Sequence, residues 1–274
     1  MRRWGCAVVA AAVGMVMAGA AQAGAAATAP AGYKIVRGAL MTAPSSPLDT
    51  GSDTLCPSGT VAWGGGVEFS GIGGQGETIG TTDPAGSAGW NALVNNLSGN
   101  AASFSVHAIC AKKPKGYTIV TASAANPSGA QTTASVTCPA NTVVLSAGIL
   151  SESDAASVGT TSLWPASTTK VTGKMLNASS SASTFQVEAV CGARPARYTI
   201  AKLAVTQPTN AILEGGARCP TGTAVIGGGV NVASPGQNMV ISADDDGGRS
   251  AWNLTVTNLT TTSHKVTTYA ICAA

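Results

Sequence analysis

From Phe104 to Cys110 the chain alternates. Phe104, Val106, Ala108 and Cys110 fall on one face, with Ser105 and His107 on the other. The same beat returns at Phe185, Val187, Ala189 and Cys191, and again at Val266, Thr268, Ala270 and Cys272. A period of two belongs to a β-strand with one buried face. Each run therefore predicts the closing strand of a unit that recurs about every 81 residues.

Each copy leads up to its closing strand through the same series of elements. An aromatic, β-branched strand opens it, at Tyr33 to Val36, Tyr117 to Val120 and Tyr198 to Ala201. A proline, at 44, 127 or 208, marks the turn that ends this strand. Then come Cys56-Pro57, Cys138-Pro139 and Cys219-Pro220, each followed two residues later by Gly59, Asn141 or Gly222. Glycine and asparagine are the residues that tolerate positive φ, so a type II turn is expected there. A glycine-rich strand follows, in which only Gly66, Gly148 and Gly229 recur in every copy. It lacks the helix and lysine of a phosphate loop, and small residues inside a strand mark a bulge or a close backbone approach. A strand around Thr78, Val158 and Val240 and another ending at Asn96, Asn177 and Asn258 complete the copy. The count is about five strands per copy, with no helix after the first 23 residues.

Self-similarity at a fixed period means tandem modules. The expected fold is all-β, with three antiparallel modules at 32–115, 116–196 and 197–274. A pairing used in one module must be available in all, which predicts disulfides Cys56–Cys110, Cys138–Cys191 and Cys219–Cys272. Zinc is the rival use of paired cysteines, but none stands in a Cys-x2-Cys pair or near a histidine at ligand spacing. The connectors are short and basic, with Lys112, Lys113 and Lys115 in one and Arg194 and Arg197 in the other, so the modules should touch. A β-prism-like packing with pseudo-threefold symmetry is favoured over three β-sandwich beads. The glycine-rich strand would let three backbones approach one axis, and each module is small for independent stability.

Met1-Arg2-Arg3, an uncharged run from Cys6 to Ala18 and Ala21-Gln22-Ala23 read as a secretory signal peptide over 1–23, with an N-terminal tail over 24–31. The apolar run is shorter than a membrane span. A secreted protein, extracellular or periplasmic and of bacterial cast, is the expectation. Without the leader, 13 basic residues face 12 acidic ones, which gives no reason to expect nucleic acid as partner.

Residues suited to chemistry are few. His107 and His264 occupy different positions in their modules and are expected to face solvent. Glu68 and Glu77 could form a glycosidase couple, yet neither recurs. Asp244, Asp245 and Asp246 form an acidic run on a glycine-containing turn, but residue 255, where an EF-hand needs glutamate, is Thr255. Trp164, expected on a turn, is an aromatic placed for a sugar or a partner. Trp90 and Trp252 align with Val171 and are assigned to the core. Asn96, Asn177 and Asn258 each head a glycosylation sequon, and a turn-forming asparagine explains them more simply. The functional expectation is a non-enzymatic binding protein that needs no cofactor or metal. Its loops, with Trp164, Asp244, Asp245 and Asp246 as candidate contacts, would recognise an extracellular glycan or surface protein. The alternatives are a structural envelope component and a hydrolase with a single degenerate site.

Overall fold

The computed structural model describes residues 28–70, 76–233, 239–245 and 248–274, with backbone alone for 47, 48, 70 and 239–245. The signal-peptide reading lies outside these residues. Among the described residues there are nineteen strands, with β1 (Lys34–Arg37), β2 (Met41–Ala43), β3 (Ser46–Leu55), β4 (Val61–Ser70), β5 (Glu77–Ala85), β6 (Gly89–Asn96) and β7 (Ala102–Ala111) in the first module. The second holds β8 (Thr118–Asn126), β9 (Gln131–Thr137), β10 (Val143–Ser151), β11 (Val158–Pro165), β12 (Lys170–Asn177) and β13 (Ser183–Gly192). The third holds β14 (Thr199–Gln207), β15 (Ala211–Arg218), β16 (Ala224–Val232), β17 (Met239–Asp245), β18 (Ala251–Asn258) and β19 (His264–Ala273). The second and third modules thus have six strands each where about five were expected, and the first has seven. The additional one, β3, β9 or β15, lies between the proline turn and the Cys-Pro turn; its polar, small-residue sequence carries no clear period. In the first module the opening strand is broken into β1 and β2, both paired to β7.

No module keeps its strands to itself. Side I of the molecule runs β1-β7-β4-β17-β18-β15, side II β3-β6-β5-β10-β13-β8 and side III β14-β19-β16-β11-β12-β9. Sides II and III each take three strands from one module and three from a neighbour; side I does the same and also carries β2, paired to β7. The seams are β4 with β17, β10 with β5 and β16 with β11, all antiparallel. Three modules sharing three sheets cyclically is the prism arrangement; independent beads do not occur.

The glycine-rich strands make this closure possible. Each carries a bulge at the same place, between Ala62 and Gly64, Val144 and Ser146, and Val225 and Gly227. Immediately after it the three backbones converge. A Cβ on Gly64 would lie 2.4 Å from the Ile226 carbonyl oxygen, and one on Gly227 2.5 Å from that of Leu145. The third position is Ser146, whose buried hydroxyl has no hydrogen-bond partner.

A tyrosine latch ties each module to the one before it. The hydroxyls of Tyr33, Tyr117 and Tyr198 donate to the carbonyls of Val225, Ala62 and Val144, each at 2.7 Å. Those carbonyls belong to the residue just before the bulge, where ladder pairing lapses. Each ring lies under a cation, Arg249 at 5.0 Å, Lys113 at 5.7 Å and Arg194 at 4.9 Å from the centroid. Burial pushes the Tyr117 hydroxyl up to about 12, so it keeps the proton it donates.

Within modules the expectations hold. The disulfides join Cys56 to Cys110, Cys138 to Cys191 and Cys219 to Cys272. Gly59, Asn141 and Gly222 have φ of 80°, 64° and 77°, and the amides of Thr60, Thr142 and Thr223 close their turns on Pro57, Pro139 and Pro220. Asn96, Asn177 and Asn258 are buried and use both ends of their side chains to hold the turn before the closing strand. Trp90 and Trp252 are core residues. A Cβ on Gly228 would lie 2.1 Å from Trp252 Cγ, and one on Gly65 2.3 Å from Trp90 Cγ. In the second module the same pair is Ala147 and Val171, a smaller side chain making room for a methyl group.

Two stability predictions follow from this packing. Gly227→Ala should cost about 3 kcal/mol or prevent folding, because backbone stands where the methyl must go, whereas Ser146→Ala should be neutral or stabilising by about 1 kcal/mol. Denaturant titration of the two variants checks the contrast. Gly228→Ala and Trp252→Val should each destabilise, and the double variant should lose at least about 1 kcal/mol less than their sum, as a double-mutant cycle would measure.

Candidate functional site

At each seam one framework position is glycine in every module, Gly66, Gly148 and Gly229. On one side its partner in the closing strand is His107, Glu188 or Tyr269. On the other lies the neighbouring module's Asp245, Asp83 or Trp164, one residue beyond the paired Asp244, Thr82 and Leu163. Residues opposite one another in a sheet share a face. A row therefore crosses each side, with two chemistry-bearing positions flanking a glycine. The rows are equivalent in backbone and different in chemistry.

On side III the row runs Lys202, Tyr269, Gly229, Trp164 and Thr172. A Cβ on Gly229 would meet the Leu163 carbonyl oxygen at 2.2 Å and Trp164 Cα at 3.0 Å, so no side chain rises between the two rings. Tyr269 is sunken, 8 % exposed, and Trp164 is half-buried. Lys202 Nζ stands 5.3 Å from the Tyr269 ring centroid and Lys174 Nζ 5.4 Å from that of Trp164. The Lys174 ammonium also donates to the Val232 carbonyl at 3.3 Å. Beside the row an open cleft of about 530 Å³ is lined by Pro165, Ser167, Thr168, Arg194, Tyr198 and Lys202.

On side II the row holds Glu188, Gly148, Asp83, Asn91 and Asp53. Glu188 and Asp83 are each 8 % exposed, and a Cβ on Gly148 would lie 3.2 Å from Asp83 Cα and 3.3 Å from Glu188 Cβ. Burial pushes the Asp83 carboxyl up to about 6 against the pull of Asn91, whose Nδ2 donates to Oδ1 at 3.0 Å. Burial and then the negative charge of Asp83 push Glu188 up to about 7. On side I the row holds Arg37, His107 and Gly66, followed by the register position of Asp245 and by Asn253.

Several expected placements change. Trp164 is not on a turn: β11 continues through Pro165, which pairs with Val171, so the tryptophan stands on the face of side III. Asp244 and Asp245 close β17 instead of sitting in the turn, and Asp246 lies outside the described residues. His107 does not face solvent; it is fully buried, its ring 6.4 Å from that of Trp252 of the neighbouring module. His264 is partly buried, its Nε2 within hydrogen-bonding distance of the Thr260 and Thr262 hydroxyls. Glu68 and Glu77 belong to different sides, and Glu68 pairs with Arg37 at 2.8 Å, so they form no couple. Among the described residues no three His, Cys, Asp or Glu side chains gather as a metal site. Sequence reasoning missed Asp83, Glu188 as an acid, Tyr269, Lys174 and Lys202. The available signal was that the positions flanking an invariant glycine change chemical class from copy to copy.

No family model matches the chain, and no curated protein matches it.

The acid pair of side II makes stability depend on pH. Both carboxyls hold protons more tightly in the folded chain than in the unfolded one, so stability should fall as pH rises from about 4 to 7. Glu188→Gln should gain about 1–2 kcal/mol over the parent at pH 8 and close to nothing at pH 4. Thermal melts at the two pH values measure the difference.

Proposed function

We propose that the protein is exported and acts by binding an extracellular glycan on side III, with Trp164 as the stacking platform. The observation that carries this reading is the Trp164–Gly229–Tyr269 row beside the 530 Å³ cleft. Sugar rings present apolar C–H faces that pack on aromatic rings, and hydroxyls that need fixed polar partners. Ser167, Thr168, Arg194 and Lys202 supply such partners at the cleft. The contact surface is the rigid face of a sheet. The loops expected to carry recognition contribute only the cleft rim.

Export is supported by the leader-like first 23 residues and by three disulfides, which persist where thiols are oxidised. Among the described residues no helix is long and apolar enough to cross a membrane. A hydrolytic reading would rest on Asp83 and Glu188, the pair of raised carboxyls, in place of Glu68 and Glu77.

Trp164→Ala should weaken retention on immobilised polysaccharide at least about tenfold while leaving the fold intact, since the ring is only half-buried. Affinity electrophoresis across a polysaccharide panel, with circular dichroism as the fold control, checks it. A blank panel for the parent protein would remove the reading; cleavage of a bound polymer that Glu188→Gln abolishes would replace it with the hydrolytic one.

A further inference from the structure

Charge is sorted by side in this molecule. The six strands of side II carry five carboxylates, Asp49, Asp53, Glu77, Asp83 and Glu188, and no lysine or arginine. The six strands of side III carry Lys170, Lys174, Lys202 and Lys265 and no carboxylate. Side I is mixed. Overall composition, close to balance, does not account for this segregation; the way modules share sheets does.

The four lysines of side III also share one face. Lys202 pairs with Tyr269, and Lys265 lies two alternations further along the same strand. Trp164 pairs with Thr172, which places Lys170 and Lys174, two residues to either side, on the face of the tryptophan. From β14 to β12 the cations span four strand spacings, roughly 20 Å, too wide for one sugar and suited to a chain. Arg194 adds a fifth positive group at the cleft. The two best-placed ammonium groups stand over the aromatic rings themselves. A neutral sugar would have to displace them to reach the ring faces, whereas a sugar bearing carboxylate or sulfate pairs with them and keeps the ring edges for its C–H groups.

We infer that the glycan taken on side III is polyanionic, a polysaccharide carrying carboxylate or sulfate groups, held by Lys174, Lys202 and Arg194 around Trp164. This rests on the glycan-binding reading above. Nucleic acid is the less favoured polyanion, because side II turns Asp49 and Asp53, and no cation of its strands, toward any polymer long enough to wrap the molecule, and a single half-exposed aromatic offers little base stacking.

The test is retention of the full chain on polygalacturonate, dextran sulfate, unsubstituted dextran and single-stranded oligothymidylate, at about 20 mM and about 500 mM sodium chloride. The expected result is binding to one or both anionic polysaccharides, weakened at least about tenfold by the higher salt, with none to dextran and little to the oligonucleotide. Lys202→Gln and Lys174→Gln should each weaken it about three- to tenfold and flatten the salt dependence, while Asp53→Asn on side II leaves it unchanged. If Lys174→Gln fails to fold through loss of its bond to Val232, Lys202→Gln with Lys265→Gln serves, both side chains being exposed. Binding to dextran that salt does not weaken overturns the inference and leaves the glycan reading standing. Equal binding to the oligonucleotide overturns it as a glycan site; no binding to any probe overturns the polyanion inference, and the reading beneath it falls with a blank on the polysaccharide panel.

Discussion

At the centre of the molecule three backbones come so close that two of the three facing positions leave no room for a methyl group. Gly64, Ser146 and Gly227 occupy equivalent points just after a bulge, and two of the three could not carry a methyl group without striking a neighbour's carbonyl. Everything outward follows from that approach. The bulges interrupt ladder pairing, the freed carbonyls of Ala62, Val144 and Val225 accept the tyrosine hydroxyls, and the central strands are near enough for each module's edge to continue its neighbour's sheet. A module alone would leave a glycine-rich strand edge open to water and to other chains. Cyclic pairing closes it.

Packing at the next position shows how the constraint is shared between copies. Gly65 and Gly228 lie under tryptophan, and the module that has Val171 in place of tryptophan has Ala147 in place of glycine, so volume removed at one position is added at the other. At this framework position the change comes as a compensated pair. The seam rows show the opposite behaviour: acid with acid, tryptophan with tyrosine, and histidine beside the Asp245 position occupy one backbone geometry without any common volume or charge. One frame holding three differing rows makes each side chemically distinct although the folds of the three are alike.

The basic face of side III and the acidic face of side II follow from the same shared-sheet construction. The second module gives its opening, glycine-rich and closing strands to side II and its other three to side III. Its lysines in β12 then join Lys202 and Lys265 of the third module, and its Glu188 joins Asp53 and Asp83 of the first. Counted by module the charges look scattered; counted by side they separate. Coulomb interactions along a face act over a Debye length of about 10 Å, so grouping like charges within that range is what gives a side its potential.

The amino-acid sequence by itself determined the modules, their cysteine pairings, the left-handed turn positions at Gly59, Asn141 and Gly222, the role of the sequon asparagines and the core assignment of both tryptophans. These depend on local alternation, on single residues with restricted φ, or on spacings reused in every copy. It also pointed to Trp164, as an aromatic on a turn. Only the tertiary structure decided that β11 runs on past it, that His107 is buried, and that Asp83 and Glu188 flank one glycine while Trp164 and Tyr269 flank another. Those pairs join strands of different modules across an edge whose register is set by backbone approach at the axis. No period along the chain encodes which edge will be neighbour to which, so the site emerged only when the sheets closed.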